Sequence, residues 1–242
     1  MRGDRLRGLG DELRKQQPDR FEASGERQGK GVRAILKSLG RALVLSAATA
    51  SVIGLAAAPA LAATTWTVKP GGAVTATAGT TTISTGGNSV ICTSSVAKGT
   101  LKKGSGLAGA GLGTVTSLAF NNCTIAGITV SATITGTMPL NGIKYNPTKK
   151  TASMTLTKIH GKISVSTLSC SATVDGTSAT AHNGKVAGTF SNGTDTLTVL
   201  NTGGNLHLYN PSSGCAGVIT NGQAVSFTGK YKFAPKTTIT SP

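Results

Sequence analysis

From Thr64 onward, apolar and polar residues alternate in short runs. Ile128, Val130, Ala132 and Ile134 interleave with Thr129, Ser131, Thr133 and Thr135, a period of two kept over eight residues. Ala152, Met154 and Leu156 alternate with Ser153, Thr155 and Thr157, and Val225, Phe227, Tyr231 and Phe233 share one face of a later run, with Gly229 between them. Each pattern predicts a strand with one face buried and one wet, as in antiparallel sheets. Turn-formers separate the runs: Gly71-Gly72, Gly86-Gly87-Asn88, Asn141-Gly142, Asp175-Gly176, Asn183-Gly184, Asn192-Gly193, Gly203-Gly204-Asn205 and Asn221-Gly222. The clearest hairpin is expected between Leu197–Leu200 and Leu206–Tyr209. No run carries a helical apolar period. The chain therefore predicts an all-β protein, an antiparallel β-sandwich or a closed β-barrel, preceded by a cleaved N-terminal signal helix.

The signal is legible upstream. Ala42 to Leu61 carries no charge, Arg33, Lys37 and Arg41 precede it, and Ala58-Pro59-Ala60-Leu61-Ala62-Ala63 ends it. A basic n-region, an apolar h-region and an Ala-x-Ala site make a secretory signal, with cleavage expected between Ala62 and Ala63. A transmembrane anchor is the alternative, but the run is rich in Ala, Ser, Thr and Gly, and no basic stop-transfer cluster follows it. Residues 1–31 hold eight basic and six acidic residues, unlike an n-region. They are read as a disordered extension or a start placed too far upstream. Translation from Val32 would give a leader of 32–62, and 63–242 is then the secreted β domain.

Removing the leader changes the charge. Residues 63–242 contain 13 Lys, no Arg, and only Asp175 and Asp195 as acids, so the net charge is 13 − 2 = +11. A basic surface attracts polyanions, and for an exported protein these are anionic wall polymers and polysaccharides. Nucleic acid is not expected, since Arg forks are missing and the lysines are scattered along the chain. The membrane is met only in transit, through the signal. Cys92, Cys123, Cys170 and Cys215 all fall in this part, an even count that predicts two disulfides in an oxidising compartment. Three connectivities are open. The sequential one, Cys92–Cys123 with Cys170–Cys215, would contribute roughly 3.5–4 kcal/mol per bridge by loop entropy.

Candidate chemistry is sparse. Gly104-Ser105-Gly106-Leu107-Ala108-Gly109 is a literal GxGxxG, but no helix pattern follows and no acid stands between 63 and 174, so it is read as a flexible glycine-rich loop. Glycoside hydrolysis needs two facing carboxylates, whereas Asp175 and Asp195 each sit in a turn context. His160, His182 and His207 are expected to be exposed, and no Gly-x-Ser-x-Gly elbow exists to build a triad with them. No metal ligand spacing and no cofactor site are read. Trp66 is expected to plug the core end of the first strand; stacking on a sugar ring is its alternative use.

The Trp66-x-Val68-x-Pro70-Gly71-Gly72 opening, Val90-x-Cys92-x-Ser94-Ser95, Phe120-x-x-Cys123 and the closing Tyr231–Pro235 stretch resemble a group of small secreted Thr/Gly-rich proteins of actinobacteria. The resemblance implies secretion, β-structure and paired cysteines, and no activity or functional residue. The expected function is thus an exported, non-enzymatic β-protein, secreted or held at the cell envelope through its lysines. A carbohydrate-binding or adhesion module using Trp66, and a hydrolase with an unrecognised triad, are the competing functions.

Overall fold

A computed structural model of the chain describes residues 64–200 and 202–242. The signal segment and its cleavage site at Ala62 and Ala63 lie outside the described residues. Fifteen strands follow one another: β1 (Thr65–Lys69), β2 (Gly72–Ala78), β3 (Thr81–Thr85), β4 (Asn88–Leu101), β5 (Gly104–Ala108), β6 (Gly113–Ile125), β7 (Ile128–Thr135), β8 (Met138–Asn146), β9 (Thr151–Val165), β10 (Cys170–Asp175), β11 (Gly184–Ser191), β12 (Thr196–Val199), β13 (His207–Tyr209), β14 (Gln223–Ala234) and β15 (Thr238–Thr240). All pairings are antiparallel.

Twelve of these strands close on themselves as an eight-column barrel. Strands β4, β6, β9 and β14 run its full length, and each of the other four columns is built from two collinear pieces. Strands β2 and β3 both pair with β4 and with β14. Strands β7 and β8 both pair with β6 and β9. Strands β10 and β11 both pair with β9. They pair in turn with β13 and β12, which both return to β14. The β4–β6 ladder completes the circle. Closure leaves no free edge on these columns, which removes the usual hazard of an exposed strand. Of the two architectures the periodicity allowed, the barrel is the one formed.

The period-two alternation sorts the faces as the sequence predicts. Phe227, Tyr231 and Phe233 of β14 are buried, while Lys230 and Lys232 are exposed. On β7, Val130 is buried and Thr129, Ser131, Thr133 and Thr135 are exposed. Apolar inside and hydroxyl-bearing outside is the reverse of a lipid-facing barrel. Strand β9 keeps its apolar residues inward over its whole length by means of a bulge. Leu156 pairs with Val186 and Ile159 with Gly184, so two residues of β9 oppose one of β11. Lys158 takes φ 60° there, and the inward set shifts from Ala152, Met154 and Leu156 to Ile159, Ile163 and Val165.

The expected hairpin between Leu197–Leu200 and Leu206–Tyr209 does not form. Strands β12 and β13 run in the same direction down one column, and the segment between them loops out and returns. Leu200 N–H donates to Ala187 O and Asn205 N–H to Lys185 O, so the detour is tied to β11. Long β14 is a template for both pieces, which outweighs the local turn signal. Asn141-Gly142 likewise lies inside β8 rather than in a turn. The GxGxxG run is no flexible loop either, because Gly104–Ala108 is strand β5.

Strands β15, β1 and β5 form a separate three-stranded sheet at the end of the barrel where β4, β8 and β14 finish. Trp66 and Val68 of β1 and Ile239 of β15 turn inward and are buried. Gly142 N–H donates to Gly109 O at 2.8 Å, and Asn192 holds the Ile239 backbone through both its Oδ1 and its Nδ2.

Two disulfides follow the sequential connectivity. Cys92–Cys123 links directly paired residues of β4 and β6. Cys170–Cys215 ties the β13–β14 connection to the start of β10. Such bonds belong to chains that fold in an oxidising compartment. Among the described residues, no helix is long and apolar enough to cross a membrane.

Candidate functional site

Interruptions in neighbouring columns bring scattered residues together on the barrel wall. Asp175 ends β10, pairs with His207 of β13, and is 0 % exposed. Its burial follows from the loop 176–183 folding over it. Oδ1 accepts the Gly176 N–H at 2.6 Å and the Asn183 N–H at 3.2 Å, and Oδ2 accepts the His182 N–H at 3.1 Å. The position of Asp175 before Gly176 suits a simple turn-former. The residue is instead the buried anchor of an eight-residue loop, because a carboxylate can take several backbone donors that would otherwise be orphaned.

The same Oδ2 lies 3.1 Å from His182 Nδ1, and the His182 side chain is 58 % exposed. That contact places the Nδ1 proton toward the carboxylate and leaves Nε2 as the other ring nitrogen. The His160 ring sits 4.3 Å from the His182 ring, centroid to centroid. His160 Nδ1 is buried without a hydrogen-bond partner, so His160 is not the exposed residue expected. His207 is half-buried. Its Nδ1 lies 3.0 Å from Gly176 O and 2.9 Å from Asn205 O, and Tyr209 Oη donates to the same Gly176 oxygen at 2.9 Å.

Chemically, the wall cluster orients an imidazole against a buried carboxylate, two members of a triad. The third is missing: among the described residues no serine or threonine hydroxyl bonds the His182 ring. Among the described residues no group of three or more His, Cys, Asp or Glu is placed to hold a metal. Asp195, the other acid, is 8 % exposed. Its carboxylate accepts the Thr237 N–H at 3.3 Å and its carbonyl the Phe233 N–H at 2.8 Å, joining the β11–β12 turn to β14 and β15. The two carboxylates belong to separate parts of the molecule.

Trp66 is 2 % exposed. A Cβ on Gly142 would lie 2.7 Å from its ring, and one on Gly109 would lie 2.8 Å from Nε1. The ring is therefore seated on two glycines in the core, the role expected for it, and the alternative of stacking on a sugar is not open to so buried a ring.

Burial of both acids leaves the outer surface of the described residues with a single sign of side-chain charge. Among the described residues every lysine is exposed apart from half-buried Lys185, and none pairs with a carboxylate. Six of the thirteen gather at the end carrying the small sheet. Lys69 ends β1, Lys102 and Lys103 connect β4 to β5, Lys149 and Lys150 lie in the β8–β9 turn, and Lys236 lies between β14 and β15. The connections touch: Gly71 packs directly on Lys103, and Lys150 O accepts the Asn192 N–H. Lysines scattered in sequence are thus gathered in space. The signal that could have found them is that all six fall at strand ends on one side of the alternating strand directions.

No protein-family model, no curated protein and no solved structure matches the chain.

Proposed function

We propose that this is an exported, non-enzymatic β-barrel that holds to anionic polymer of the cell envelope through its lysine-rich end. The observation that carries this is the single sign of the surface: of the thirteen lysines in residues 63–242 twelve are exposed and Lys185 half-buried, while Asp175 and Asp195 are buried. With no neighbouring carboxylate to neutralise them, the lysines at one end sum to a long-range field that a polyanion can meet with many weak contacts. Lysine suits this task, since a point charge on a flexible stem follows an irregular polymer without a fixed bidentate geometry. Two disulfides and the leader of residues 32–62 support export.

The test is sedimentation of the purified protein with purified cell wall over a salt series. Binding should be strong at low salt and lost by about 1 M, where the screening length is about 3 Å. Alanine at Lys102, Lys103, Lys149 and Lys150 should weaken it far more than alanine at the wall lysines Lys98, Lys158, Lys162 and Lys230. Binding indifferent to salt, or equal loss in the two variants, rejects the proposal.

A further inference from the structure

We propose that the lumen of the barrel binds an alkyl chain. An eight-stranded barrel is just wide enough either to be filled by its own side chains or to hold one small ligand. Here the filling is incomplete. Around the half nearer the small sheet, the wall carries short side chains at Val74, Ala76, Ala97, Val115 and Val199, and none at Gly188. They leave a cavity of ≈ 70 Å³. A second cavity of ≈ 50 Å³ follows in the other half, between Ile134, Ile163, Val174 and Leu206. Leu118, Leu156, Val186 and Phe227 line both, so the two spaces adjoin and are divided only by these side chains.

Water is a poor occupant. Each space exceeds the roughly 10–15 Å³ that one water needs, but a buried water also needs two to four polar partners. Every residue lining the second cavity is apolar. In the first, the inward hydroxyl of Tyr231 is already bonded to Ser95 Oγ at 2.7 Å, and Lys98, Thr100, Thr114 and Thr155 add almost no polar surface to the lining. A dry, hydrocarbon-lined space selects an apolar ligand, and two small spaces in series select a slender one. An unbranched chain could pass from one to the other by rotamer changes at Leu118 and Leu156, where a ring could not. The chain's source, a free alcohol or acid or a membrane lipid, is not distinguished by the lining. The proposal rests on the lumen alone and is independent of the lysine-rich end.

The test uses the purified protein with 1-octanol as probe, and adamantanol as a bulky control. Octanol should raise the melting temperature saturably and shift the methyl resonances of Leu118, Leu156 and Val186, while adamantanol should do neither. Val186→Phe, which fills the junction of the two spaces, should weaken octanol binding by roughly tenfold or more. Leu118→Ala, which enlarges the junction, should tighten it, so a fill that fails to fold still leaves a test of opposite sign. Octanol binding with transfer of labelled acyl lipid from phosphatidylglycerol vesicles assigns the chain to a lipid, and octanol binding without transfer assigns it to a free amphiphile. Absence of binding in both the parent and Leu118→Ala, or equal affinity in parent and folded Val186→Phe, overturns the proposal.

Discussion

Tyr231 shows how one residue depends on the size of its neighbour. It pairs with Ala78, and Ala78 with Ser95, on three adjacent strands. The ring crosses the small Ala78 side chain so that Tyr231 Oη accepts a hydrogen bond from the Ser95 hydroxyl. Burial pushes the Tyr231 hydroxyl up from 10.0 to about 12, against a smaller opposite pull from Ser95. Between those values the folded protein keeps a proton that the unfolded chain has lost, so stability falls as pH rises from 10.0 to about 12. The loss should reach roughly 2–3 kcal/mol. Tyr231→Phe should cost about 1 kcal/mol at neutral pH, through the unpaired Ser95, and flatten this alkaline limb. Urea melts at closely spaced pH values check both; an unchanged limb would count against the buried phenol. Asp175 is the second such case. Asp175→Ala strands three backbone N–H groups at once and should cost about 3 kcal/mol or more, whereas His182→Ala, on an exposed ring, should cost under about 1 kcal/mol. Equal losses in chemical denaturation would mean that the His182 ring contact, not the backbone bonds, holds the loop.

Elements were legible wherever one face alone decided their fate. The alternation in Ile128–Thr135, Ala152–Thr157 and Val225–Phe233 marks β7, the first half of β9 and β14, because a period of two needs no knowledge of the partner strand. What could not be read is pairing. Asn141-Gly142 has the composition of a turn, yet Gly142 is in mid-strand because the Trp66 ring lies where its side chain would be. The glycine is there for close approach rather than for a turn. The Leu197–Tyr209 hairpin failed for the same reason, since β14, which templates both halves, is remote in sequence. The Asp175–His182 contact also stayed hidden: both residues sit beside glycine-containing turns, and only the fold of the intervening loop brings them together. Gly142→Ala tests the packing account directly. Its Cβ would meet the Trp66 ring and Leu112 at 2.7 Å, an overpacking expected to cost about 1–3 kcal/mol. Emission from the chain's one tryptophan should move to the red as Trp66 is displaced. Unchanged emission and stability would show that the small sheet is not seated on this glycine.

At the scale of the whole molecule, charge and closure pull in opposite directions. Closure ties the columns of the barrel into one cooperative unit, braced by two disulfides. The charge works against it: net +11 over residues 63–242, with both acids buried, leaves the lysines nothing on the folded surface to offset their mutual repulsion. Unfolding spreads these charges apart, so repulsion favours the unfolded chain, and salt relieves it by screening. Most domains carry surface ion pairs that salt weakens, which blunts or reverses such a response; none involves a lysine among the described residues here. The melting temperature should therefore rise monotonically as ionic strength goes from about 0.01 to about 0.5 M, across which the screening length falls from about 30 Å to a few ångströms. Lys102→Ala/Lys103→Ala/Lys149→Ala/Lys150→Ala, which thins the densest cluster, should raise the low-salt melting temperature and shrink the gain from salt. A short polyphosphate should match sodium chloride at a far lower concentration, because it binds the folded cluster as a unit and by mass action stabilises it. Calorimetry in the three media separates the outcomes. A melting temperature that falls with added salt would mean that attractive pairs, not repulsion among lysines, dominate the surface. Equal potency of polyphosphate and chloride, compared at matched ionic strength, would mean that the lysines at the small-sheet end act as independent charges rather than as one site.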